Sequence, residues 1–143
     1  QILYAMFNKR EDVYCERVFS PWPDLDAILR KKHIPLFALE SQDPIKAFDF
    51  LGFTIQYEMC YTNILQVLDL SGIPLHAEDR KENDPIVIGG GPCAYNPEPL
   101  APFFDMTISL ICIRRFGITA ETAGHSWRLL PSCLVFTSPC FTM

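Results

Sequence analysis

Three glycines in a row, Gly89-Gly90-Gly91, stand directly after the apolar run Ile86-Val87-Ile88 and before Pro92 and Cys93. Backbone without side chains can turn sharply and present bare N–H groups to a ligand. The chemistry on offer is close approach to a bound group rather than acid–base work. It does not match a dinucleotide loop, because Ala94 stands where a third spaced glycine would be needed, and no Lys-Ser/Thr pair follows as in a nucleotide triphosphate loop. Pro92 removes one more donor from any anion nest. Cys93 at a helix start is the other candidate for chemistry, with Cys60 the alternative nucleophile. No histidine is recognisably paired with either, which disfavours a cysteine hydrolase.

An unalternating β-branched run before the glycines predicts a strand buried on both faces. After them, Asn96 offers a helix N-cap, Pro97 suits the first helical position, and Glu98 suits the positive end of the dipole. Strand, glycine turn and helix together place the loop at the carboxyl edge of an open α/β sheet, where ligands lie.

Upstream elements repeat this alternation. Gln1–Asn8 reads as the end of a helix and Val13–Phe19 as a strand. The turn Pro21-Trp22-Pro23-Asp24 follows, with Asp24 capping a helix that ends in Arg30-Lys31-Lys32. Ile34–Leu39 is extended, Phe48–Tyr57 is a second buried strand, and Tyr61, Ile64, Leu65 and Leu68 keep helical spacing toward Gly72. The pattern predicts an α/β fold with a doubly wound parallel sheet.

At 143 residues and a net charge of −5, the chain is one domain's worth and suits neither nucleic acid nor an anionic membrane surface. No apolar run approaches a membrane span. Six dispersed cysteines without C-x-x-C, and three isolated histidines, predict buried thiols in a reducing cytoplasm and no metal site. The chain starts at Gln1, already inside an apolar pattern, which we read as the start of a fragment.

Beyond Asp105 the character changes. Residues 106–143 contain no lysine, and Arg114, Arg115 and Arg128 outnumber the single acid Glu121. Met106–Ile113 could form a strand, whereas 117–143 reads as no designed element. Two regions are therefore expected: a partial domain over 1–105, and a tail over 106–143 that is disordered or foreign to it, as from a shifted reading frame.

Several segments resemble one family. They are Tyr14 to Phe19 with Pro21-Trp22-Pro23-Asp24, Ile34 to Ser41, Gly52 to Glu58, and Pro85 to Leu100 with Phe103-Phe104-Asp105. This is similar to the amino-terminal portion of radical S-adenosylmethionine (SAM) proteins with a cobalamin-binding-like domain. The resemblance implies an incomplete flavodoxin-like fold whose first, central strand is missing. It also implies cofactor contacts at Thr54 and Gln56 on one loop and at Gly89, Gly90, Gly91 and Pro92 on another. No Asp-x-His-x-x-Gly segment is present, so cobalamin would be held without a histidine ligand. S-adenosylmethionine and the [4Fe-4S] cluster would belong to a catalytic domain of the same parent chain. The competing reading is a degenerate flavodoxin-like docking module that binds no cofactor, which exposed Trp22, Tyr57 or Tyr61 would favour.

Overall fold

The computed structural model describes residues 2–108 and 132–138. Helix α1 (Ile2–Phe7) leads into β1 (Val13–Phe19), α2 (Pro23–Lys32), β2 (Phe50–Thr54), α3 (Tyr61–Leu70), β3 (Ile86–Gly90), β4 (Met106–Ile108) and β5 (Ser132–Ser138). All five strands are parallel, in the order β1-β5-β2-β3-β4. This is the order of a flavodoxin-like sheet, with the last strand of the chain in the place of the first strand of the fold.

That placement differs from expectation. No element is expected over 117–143, yet Ser132–Ser138 pairs along the whole of β1 and with Phe50–Phe53 of β2. The run Cys133-Leu134-Val135-Phe136-Thr137 is apolar and β-branched enough to form a parallel strand. Its partners lie some eighty residues or more away, beyond the reach of local pattern. Of the expected strand Met106–Ile113, the first three residues form β4 and the rest lie outside the described residues.

Other boundaries move for local reasons. Pro23 occupies the first turn of α2, so Trp22 takes the cap position and Asp24 sits inside the helix, accepting a hydrogen bond from Leu25 N at 2.8 Å. The strand expected over Phe48–Tyr57 is shorter at both ends. After the glycine loop there is no α-helix. Two 3-10 segments, Pro92–Tyr95 and Glu98–Phe103, follow instead, and Asn96 makes no side-chain cap. Pro102 lacks the N–H that an α-helix from Pro97 would bond back to Glu98, and Pro99 and Pro102 disfavour helical backbone at the residues before them, Glu98 and Ala101. Strand β3 is half-buried at Ile86 and Ile88 and buried at Val87, rather than buried throughout.

The core lies where α2 and α3 cover the sheet. Leu29 from α2 and Ile64, Val67 and Leu68 from α3 join Val18, Leu51, Phe53 and Val87 from the strands. Leu100 and Phe104 close one end, with the Phe104 ring edge-on to Phe53 at 5.7 Å. Buried Arg80 fastens the same end. Its guanidinium donates to the carbonyls of Pro74, Leu75 and Phe103 and pairs with Asp105 at 2.8 Å.

Strand β1 is an edge strand, yet its outer side is not open. The Asn8 side chain donates to Cys15 O at 2.9 Å and accepts from Cys15 N at 3.0 Å, mimicking a neighbouring strand. At the next outward residue, Arg17 N donates to Glu40 Oε2 and Leu39 N donates to Arg17 O, both at 2.9 Å. The edge is thereby closed to further strand pairing. Burial, with the charges of Glu40 and Glu16, pushes the Cys15 thiol up to about 11, so this cysteine is a packing residue.

Candidate functional site

The carboxyl ends of β2 and β3 bring the two expected loops together. Thr54 stands opposite Gly90 in the parallel register. Ile55 N donates to Gly90 O at 2.6 Å, and Cys93 N donates back to Ile55 O at 3.3 Å. The loops are therefore tied to each other.

The three glycines serve different ends. Gly91 has φ +111°, a conformation that side chains rarely adopt, and a Cβ there would lie 2.5 Å from Ile55 O. Gly91 is required because the β2 backbone passes against it. At Gly89 a Cβ would lie 3.1–3.2 Å from the Phe104 ring, so the missing side chain makes room for an aromatic of the same chain. Only Gly90, half-buried at the tip of β3, is left to face a ligand alongside Thr54 and Gln56. Thr54 is half-buried and Gln56 exposed, and neither side chain has a hydrogen-bond partner among the described residues. Pro92 is exposed and opens the first 3-10 segment.

For a corrinoid, these residues fit in part. Two free polar side chains and one bare backbone position suit a nucleotide-like tail. The spaces beside Gly89 and Gly91 are taken by Phe104 and Ile55. Neither histidine among the described residues is placed as an axial ligand: His33 ends α2 in a left-handed conformation, and His76 lies 5.2 Å from the Phe103 ring, both away from this edge. No cluster of three or more metal-ligating side chains occurs among the described residues.

Neither candidate cysteine is set up as a nucleophile. Cys60 is buried, as expected, but it is disulfide-bonded rather than a free thiol, because its sulfur meets a second cysteine that sequence spacing did not pair with it. Desolvation, followed by the charge of Glu58, raises the Cys93 thiol above its ordinary value, the opposite of activation. Tyr61 beside it is raised in the same way, by burial first and then by Cys93 and Glu58.

A model for the amino-terminal region of radical SAM proteins matches residues 1–109. The chain belongs to that family. It is also 35% identical over 82 residues to an uncharacterized protein of Methanocaldococcus jannaschii. The match covers 55% of this chain and 16% of the relative, so the chain spans a small part of that protein's length. No solved structure matches. As a radical SAM amino-terminal domain, the chain has an edge built from β2 and β3 and a second feature that the sequence pattern did not mark. This is an apolar cavity of about 500 Å³ at the carboxyl end of β1. The only signal for it in the sequence is the apolar spacing of Phe19, Trp22 and Leu25 around two prolines. No helix among the described residues is long and apolar enough to cross a membrane.

Proposed function

We propose that this chain is a cobalamin-binding-like accessory domain of a cytoplasmic radical SAM enzyme. In this reading it catalyses nothing alone and serves a catalytic domain of the same parent chain, which carries S-adenosylmethionine and the [4Fe-4S] cluster. The observation that carries the reading is the meeting of Thr54 and Gly90 at the carboxyl ends of adjacent parallel strands, in a flavodoxin-like strand order. Thr54 and Gln56 would hold the corrinoid tail through their free hydroxyl and amide, with Gly90 leaving space beside them. When bound, a corrinoid supplies organocobalt chemistry. The chain's own part is to fix the tail and to keep side chains off it.

Titration with hydroxocobalamin, followed by its visible spectrum, tests this. Micromolar affinity, about −8 kcal/mol, is expected, without the spectral change of histidine ligation. It should weaken at least tenfold in Thr54→Val and be lost in Gly90→Val.

A second reading, the docking module without a cofactor, has its own supporting observation. Two of the three glycines are explained by internal packing, and Trp22 is 59% exposed. No binding by a folded wild-type chain would favour it.

A further inference from the structure

The cavity at the end of β1 is lined by Val18, Phe19, Trp22, Leu25, Phe37 and Leu39, with Asp24 at its rim. Phe19, Trp22, Leu25 and Leu39 are all exposed, and Ile28 continues the apolar stripe along the outer side of α2. Clustered large apolar side chains of this kind mark an interaction surface on a soluble domain.

The groove is held in shape from both sides. Ser20 Oγ donates to Gln66 Oε1 at 2.6 Å, and Gln66 Nε2 donates to Pro21 O at 3.4 Å, tying the β1–α2 turn to α3. On the other wall, Leu36 N donates to Leu70 O, Ala38 N to Asp43 O and Leu39 N to Arg17 O. An occupant would therefore meet a preformed cleft and would order little of it on binding.

Three observations narrow the occupant. Asn8, Leu39 and Glu40 close the outer side of β1, so the partner cannot arrive as an added strand and must pack side chain against side chain. Asp24 is exposed and has no ion-pair partner among the described residues, whereas Asp26 and Glu40 are paired with Arg30 and Arg17. A cation beside an apolar ridge would complement it. Finally, the matched segment makes up only 16% of the length of the Methanocaldococcus relative, so most of such a protein lies outside this domain and supplies chain that could cover the groove.

We infer that the Phe19–Trp22–Leu25–Leu39 groove is the docking surface for the catalytic domain of the parent chain, which presents to it an apolar ridge flanked by a lysine or arginine opposite Asp24. This rests on the accessory-domain reading above.

The test uses the full-length parent protein with a benzophenone amino acid at position 22 or, as a control, at Met59, which is 83% exposed at the β2–β3 edge. After irradiation the cross-links are mapped by mass spectrometry. We expect position 22 to link to residues outside this chain's sequence, near a basic side chain, and Asp24→Lys to reduce that yield severalfold. Links from Met59 alone would overturn the groove while sparing the accessory-domain reading. Links from position 22 only to a second copy of the domain would overturn the assignment of the occupant. No link from either position would overturn the groove and count against the partner reading as well.

Discussion

Two of the turns that leave the carboxyl edge of the sheet are built in opposite ways. The turn after β3, Gly89 to Cys93, is bare backbone folded tightly against its neighbours. Gly91 lies on Ile55, Gly89 lies under Phe104, and two hydrogen bonds tie the turn to β2. The turn after β1, Ser20 to Pro23, carries large apolar side chains and is held only from behind, by Gln66. Its outward face is apolar and uncovered. A run of glycines invites a binding-site reading, yet here most of it answers to packing. The aromatic turn, which looks like ordinary core, is the one left facing outward. Missing side chains mark a ligand site only when nothing of the same chain fills the space.

Strand β5 lies between the two turns, pairing with β1 on one side and β2 on the other. Its removal should break the comparison altogether. A chain ending at Asp105 would lose three parallel ladders, those of β5 with β1 and β2 and that of β4 with β3, at about 1 kcal/mol per hydrogen bond, as well as the burial they enclose. Against a total stability of about 5–15 kcal/mol, that is enough to abolish cooperative folding. Near-ultraviolet circular dichroism should collapse for that chain. A sharp thermal transition would mean that β1 and β2 can pair directly.

Within the intact chain, the largest effect should come from Gly91→Val. The strained φ alone costs about 1–3 kcal/mol, and the contact with Ile55 O adds to it. We expect a loss of about 3 kcal/mol or more, read as a fall in urea midpoint at unchanged slope. Gly89→Ala should cost less, about 1–2 kcal/mol, because the Phe104 ring can tilt away. Phe104→Leu should relieve part of that cost, giving a double-mutant coupling of about 0.5 kcal/mol or more. Additive costs would show that Gly89 is not there for Phe104.

A smaller effect concerns the wall of the groove. Burial works against the Glu40 carboxylate, but the hydrogen bonds from Arg17 N and its guanidinium outweigh it and hold the group below the usual carboxylate range. A depressed folded-state pKa gives stability that is present above the unfolded value of about 4.3 and lost as pH falls through the folded one. Glu40→Gln should therefore flatten the acid limb of the stability profile below about pH 4.3. An unchanged acid limb would remove Glu40 from the account of the closed edge. Smallest of all should be Trp22→Ser with Leu25→Ser, expected within about 0.5 kcal/mol of wild type because both side chains are exposed. A large loss would mean that the groove is core after all.

Local pattern was enough to read α1, β1, α2, β2, α3 and β3 in order, because periodicity of apolar residues and turn chemistry are carried by near neighbours. Ile86–Ile88 before three glycines could hardly be other than a strand and a turn, and Gly90 was legible as an edge residue for the same reason, whereas Thr54 was legible through the family resemblance. Pro102 is legible in the sequence as a departure from an α-helix after Asn96, since its missing N–H would have bonded back to Glu98. Only the tertiary structure decided what lies beside each glycine, because Phe104 and Ile55 reach Gly89 and Gly91 from other segments. It alone placed Ser132–Ser138 between β1 and β2, pairings across some eighty residues or more that no local window contains. It alone showed that Asn8 and Glu40 close the edge of β1 while Trp22 stays outside. Exposure and neighbourhood are properties of the packed chain, and a sequence specifies them only through contacts that form when distant segments meet.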